Sequence, residues 1–97
     1  MKIRYTPAAF AELQTIVAYI TVHSPRGARK VHDRIKRSID LLKDFPHIGT
    51  PTDDPAIRRT LALPYPYVIF YEPMADEIVI HSIRHARRKP QSPRTEG

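Results

Sequence analysis

Residues 22–31 read VHSPRGARKV, and the short passage from His23 to Arg26 decides how the chain folds. The Ser24 hydroxyl can cap a helix start, and Pro25 suits the first helical turn, where a backbone N–H has no partner to lose. A helix therefore opens here. Upstream, Thr6 and Pro7 give the same pair of signals, and Phe10, Leu13, Val17 and Ile20 follow at helical spacing, with Ala9 and Ile16 widening the stripe. This predicts an amphipathic helix from Pro7 to Val22 or His23. Downstream, Ala28, Val31, Ile35, Ile39 and Leu42 line one face of a second helix. Phe45 and Pro46 stop it, because proline lacks a backbone donor and disfavours helical geometry in the residue before it. With almost no chain between them, the two helices form an antiparallel hairpin whose stripes must share a third element.

That element is a sheet. Residues 2–5, KIRY, alternate polar and apolar as a half-buried strand does. Residues 46–55 hold Gly49 and three prolines without apolar periodicity and read as an irregular loop. Three strand-like segments follow at 57–63, 67–72 and 77–84, separated first by Pro64 and Pro66 and then by a proline-containing turn from Glu72 to Asp76. Short joins between successive strands give an antiparallel meander. The expected architecture is α+β, β-α-α-β-β-β, a helix hairpin packed on a twisted, mainly antiparallel four-stranded sheet. One domain spans 1–88, and 89–97 is expected to be a flexible basic tail. VIFY at 68–71 is apolar on both sides, as in a central strand covered twice, either by the chain's own segments or by a partner's.

The chain has 97 residues, sixteen Lys and Arg against ten Asp and Glu, and a net charge of +6. That balance suits nucleic acid, an acidic protein or an anionic membrane surface. Cysteine is absent, which excludes disulfides, thiol nucleophiles and thiolate metal sites. No apolar run approaches the roughly 18 residues of a membrane span, and MKIRYTPAAF lacks the apolar core of a signal peptide. A cytoplasmic protein without cofactor or membrane contact is expected.

Charge is concentrated in two places. The second helix region carries Arg26, Arg29, Lys30, Arg34, Lys36, Arg37 and Lys43 against three aspartates, either a solvated face or a dock for an acidic chain. Residues 84–94 carry five cations and no carboxylate. Of these, Arg84, Arg87 and Arg88 lie where a strand ends and can hold their forks toward phosphate or carboxylate. His81 and His85 are not a metal pair, since four residues of strand separate them by about 13 Å. An imidazole such as His85 suits proton transfer near neutral pH, but it needs a second proton donor and a group to meet developing charge. Asp53, Asp54, Tyr71 and Arg59 are the candidates. Regular alternation would turn Ile78, Ile80, Ser82 and Arg84 to one face and Val79, His81, Ile83 and His85 to the other, so neither face is purely apolar.

Four segments carry a resemblance: LLKDFPHIGTP at 41–51, IRRTLAL at 57–63, YPYVIFYE at 65–72 and IVIHSIRHARRKP at 78–90. In this order they resemble the RelE/ParE-family toxins of type II toxin–antitoxin systems, from about Ile3 to Pro90. The resemblance implies a small bacterial growth-arresting protein, of the kind tied to plasmid stabilisation, silenced by an acidic antitoxin whose segment wraps it. Arg29, Arg37, Val68 and Phe70 are the antitoxin contacts this implies. The mRNA-cutting RelE branch has an arginine after the first tyrosine of its Tyr-Arg-x-x-Tyr strand, an arginine directly after the closing His or Lys, and a later tyrosine. Here Val68 and Ala86 stand at the two arginine positions, and no tyrosine follows Tyr71. The ending is similar instead to the ParE branch, which inhibits DNA gyrase by binding. The implied target contacts are Arg59, Arg84, His85, Arg87 and Arg88. The alternative is a ribosome-dependent mRNA endonuclease using His85, Arg59 and Arg87.

Overall fold

The structure is a computed structural model and describes residues 1–87. Arg88 and the tail expected over 89–97 lie outside the described residues. The elements are β1 (Lys2–Tyr5), α1 (Pro7–His23), α2 (Pro25–Leu41), β2 (Thr50–Pro51), β3 (Arg58–Leu61), β4 (Tyr67–Pro73) and β5 (Glu77–His85).

The hairpin forms as its cap residues dictate. Thr6 Oγ1 accepts the Ala9 N–H at 3.1 Å, and Ser24 Oγ accepts the Gly27 N–H at 2.9 Å. Ser24 also donates its own N–H to Ile20 O at 2.8 Å, so this one residue ends α1 and begins α2. All five predicted apolar positions are buried, Ala28, Val31, Ile35 and Ile39 within α2 and Leu42 at its C-cap. On α1 the packed stripe is Ala9, Leu13, Ile16, Val17 and Ile20, whereas Phe10 is 52% exposed. Phe10 follows Ala9 by about 100° around the helix, and the fully buried Ala9 takes the inward position.

The sheet has five strands, not four, in the order β1-β5-β4-β3-β2. The additional strand is the two-residue β2, where Thr50 and Pro51 pair with Arg59 and Arg58 inside the segment read as irregular. The sheet is mixed: β2, β3, β4 and β5 pair antiparallel in succession, and β1 pairs parallel with β5. The crossover through both helices brings β1 to that edge. Middle strand β4 is the apolar VIFY strand.

Regular alternation along β5 does not hold. Phe70 pairs with Ser82, but the next residue, Tyr71, pairs with Ile80, so His81 is an extra residue in a β-bulge. The bulge reverses the facing of everything after it. Ile78 and Ile80 before it and Ile83 after it all join the core beside Ile69 and Tyr71. Ser82 and Arg84 pair with Phe70 and Val68 on the outer face. Thr6, just after β1, holds this point, its N–H donating to Ile80 O at 3.0 Å and its hydroxyl to His81 O at 3.3 Å.

A second lock fixes the loop between α2 and β2. Arg58 and Tyr71 are cross-strand partners. The Tyr71 hydroxyl donates to Pro46 O at 2.9 Å and accepts the Gly49 N–H at 2.9 Å. Arg58 donates Nε to Gly49 O at 3.0 Å and Nη2 to His47 O at 3.1 Å. Gly49 is required by space, because a Cβ there would lie 2.6 Å from Arg59 O and 2.7 Å from the Tyr71 hydroxyl. Tyr71→Phe leaves a buried N–H and a carbonyl unpaired and should lose about 2–3 kcal/mol. Gly49→Ala should lose about 1–3 kcal/mol by overpacking. Urea unfolding of both variants checks this, and unchanged midpoints would show that the loop is held by other contacts.

Candidate binding surface

The helices cover one face of the sheet, and the pairing assigns side chains to the other. Leu61, Val68 and Arg84 form one row across β3, β4 and β5, and Arg59, Phe70 and Ser82 form the next. Val68 is 9% exposed and Phe70 half-buried, while Leu61 is 48% exposed. The outer face therefore has a small apolar centre with arginines at its margin. Two strand spacings and two residues separate Arg59 from Arg84, about 12 Å between Cα atoms. Adjacent arginines divide their work here: Arg58 turns inward to lock the loop and Arg59 turns outward, exposed.

Arg84 is held at its base. Its Nε donates to Ser82 Oγ at 2.8 Å, and Ser82 Oγ in turn donates to Glu12 Oε1 at 3.0 Å. The same carboxylate oxygen accepts the Ile83 N–H at 2.9 Å. Glu12 sits on α1, and it meets β5 beyond the point where pairing with β1 stops. The sequence reading missed it. The available signal was that Glu12 is the one acidic residue in α1.

His85 lies on the helix side, opposite to Arg84. Its ring meets Tyr67, its cross-strand partner, edge to face at 5.2 Å and 82°. Its Nδ1 accepts the Arg87 N–H at 3.1 Å, which places any ring proton of the neutral form on Nε2. Ala86 donates its N–H to Pro66 O, so pairing continues past β5 and Arg87 projects, exposed, from a fixed turn. Arg59 and His85 occupy opposite faces. Tyr71 is fully buried and committed to the loop lock, four residues along β4 from Tyr67, or about 13 Å. Asp54 Oδ1 accepts the Ala56 N–H within its own turn. The structure thus brings Arg84 and Arg87 to one end of β5, leaves Arg59 two strands away, and puts none of the proposed second proton donors beside His85.

A family profile described as "ParE toxin of type II toxin-antitoxin system, parDE" matches residues 3–90. The chain belongs to the ParE toxin family. A protein described as putative toxin Y4kP, from Sinorhizobium fredii, is 31% identical over 88 residues, covering 91% of each chain. Toxin RelE2 of Caulobacter vibrioides is 39% identical over 85 residues, covering 87% of this chain and 93% of its own. A chain solved as the chromosomal ParDE TA system from P. aeruginosa superposes with a TM-score of 0.77 at 23% identity, over 90% of this chain and 97% of that one. Two helices on a mixed sheet are therefore the family fold, and this ParE-family chain is a type II toxin.

On this ParE-family chain, Arg29 and Arg37 are both exposed on α2, two turns apart with Asp33 between them. They lie on the helix side, whereas Val68 and Phe70 lie on the outer face. No helix among the described residues is long and apolar enough to cross a membrane.

The far part of the outer face is closed by an ion pair and a hydrogen bond. Arg4 donates Nη2 to Glu77 Oε2 at 3.1 Å, and His81 Nε2 meets Glu72 Oε1 at 3.0 Å. Val79, paired with both Arg4 and Glu72, is 2% exposed among these groups. The hydrogen bond from Arg4 holds the Glu77 carboxyl below its ordinary range, and proximity to the Arg4 and Lys2 charges adds to this. A depressed carboxyl stabilises the fold above the ordinary glutamate range and loses that contribution as pH falls through its folded value. Glu77→Gln should therefore melt slightly lower than wild type at pH 7, the gap closing in acid. Melting curves across pH check the sign, and a gap that widens in acid would refute it.

Proposed function

We propose that this toxin arrests growth in the cytoplasm by gripping DNA gyrase, with Arg59, Arg84, His85, Arg87 and Arg88 as its contacts, and that an acidic antitoxin neutralises it. One observation carries the reading: the pairing of β3, β4 and β5 puts Arg59 and Arg84 on one face and His85 on the other. Cutting RNA needs a proton acceptor, a proton donor and a charge-stabilising group converging on one phosphate. Here the imidazole packs on Tyr67 and accepts the backbone N–H of Arg87, and Arg59 and Arg84 stand on the other face. Arginine forks spaced over a surface suit a complex in which carboxylates or phosphates are held without bond breaking.

The antitoxin reading follows from charge and topology together. The fold match to a solved ParDE system supports a protein partner. A segment that meets Arg29 and Arg37 on α2 and also Val68 and Phe70 must pass round an edge of the sheet, which suits an extended acidic chain.

A supercoiling assay with purified gyrase tests the target. Wild-type toxin should inhibit at micromolar concentration, and Arg84→Ala and Arg59→Ala should each weaken inhibition by about tenfold, as loss of a buried arginine contact does. No inhibition by the wild type would overturn the gyrase assignment. The likeness to a protein named Toxin RelE2 favours a second reading, ribosome-dependent mRNA cleavage with His85, Arg59 and Arg87. Under the gyrase reading, mapped mRNA ends after expression carry no new cuts inside codons. Such cuts, abolished by His85→Ala, would put the endonuclease reading first.

A further inference from the structure

The hydrogen bonds around Glu12 run in one direction. An arginine Nε–H can only donate, so Ser82 Oγ accepts from Arg84 and must spend its own hydrogen on Glu12. The sheet alone explains part of this. Once β1 has ended, the Ile83 N–H faces an edge without a strand, and Glu12 Oε1 satisfies it. Edge capping requires nothing of Ser82 and nothing of Arg84. The second bond to the same oxygen, and the third bond beyond it, form a chain from α1 to the guanidinium in which each link polarises the next.

We propose that Glu12 is a positioning residue for the target contact made by Arg84, acting through Ser82. With Nε committed to Ser82, the guanidinium can offer a paired grip only through its two terminal nitrogens, which take no partner among the described residues. The side chain is tethered along β5 before the target arrives, so part of the rotamer freedom of a long side chain is already spent. The proposal rests on Arg84 being a target contact, as argued above. It adds that α1, on the opposite layer from the outer face, sets the direction of that contact.

Two readouts separate the idea from its premise. In the free protein, the Arg84 Nε–H resonance should exchange slowly with water in the wild type and in Glu12→Gln, which keeps an acceptor oxygen. It should exchange rapidly in Ser82→Ala, which leaves the Ile83 cap in place and removes only the link. In the gyrase assay, Ser82→Ala should weaken inhibition by about tenfold, the scale of re-ordering one long side chain. Ser82→Ala combined with Arg84→Ala should be no worse than Arg84→Ala alone, because both act on one contact. Glu12→Ala adds the same comparison where it folds. An Arg84 Nε–H that stays protected in Ser82→Ala, or additive losses in the double variant, would reduce Glu12 to an edge cap. Absence of inhibition by the wild type would remove gyrase as the target, while the exchange measurement still decides whether Glu12 and Ser82 orient the arginine.

Discussion

The extra residue at His81 is the constraint on which the molecule turns. Without it, the strand that ends the described fold would direct Ser82 and Arg84 into the helices and turn Ile83 outward. Burying a guanidinium among apolar side chains costs several kcal/mol unless a partner is buried with it. A bulge costs only a local break in the ladder, and Thr6 offsets part of it by donating twice to the carbonyls on either side. The same threonine caps α1. One short polar residue thus coordinates the start of the first helix with the face reversal of the last strand, and the reversal sends arginine outward and histidine inward.

Segments that resemble the family one by one prove to be parts of a single device. Gly49 belongs to the first, Arg58 to the second and Tyr71 to the third, and all three meet at the loop after α2. Their identities follow from geometry: glycine for want of room, arginine to reach two carbonyls, tyrosine to donate and accept with one buried hydroxyl. This accounts for why Arg58 and Arg59, neighbours of identical chemistry, have different roles. Alternation along a strand gives one to the scaffold and the other to solvent.

The helix hairpin could be read from the chain because caps and stripes act over a few residues. Ser24–Pro25 marks a start because a periodic apolar stripe follows it, and the inward positions of α2 with Leu42 at its C-cap follow from period alone. Phe10 misled because hydrophobicity marks which residues prefer burial, whereas Ala9 fits where the helix lies closest to the sheet. β2 escaped because two residues leave no pattern, and its pairing is set by the distant lock at Tyr71. The place of β1 beside β5 depends on a crossover through both helices, which no local spacing encodes. Among the functional candidates, charge and position pointed to Arg84, Arg87 and Arg88, and the family resemblance added Arg59. The face of His85 was beyond reach, because it depends on one slipped pairing, between Phe70–Ser82 and Tyr71–Ile80. Glu12 was invisible for the same kind of reason: its partners are some seventy positions away.

The two margins of the sheet are blunt. One is a strand of four residues bearing Lys2 and Arg4, and the other is only two residues long and includes a proline. Short, charged or proline-containing borders give an incoming strand little to continue, which is how natural sheets avoid stacking edge to edge. A type II toxin parted from its antitoxin is a lone chain, and borders of this kind give one copy little to add to another.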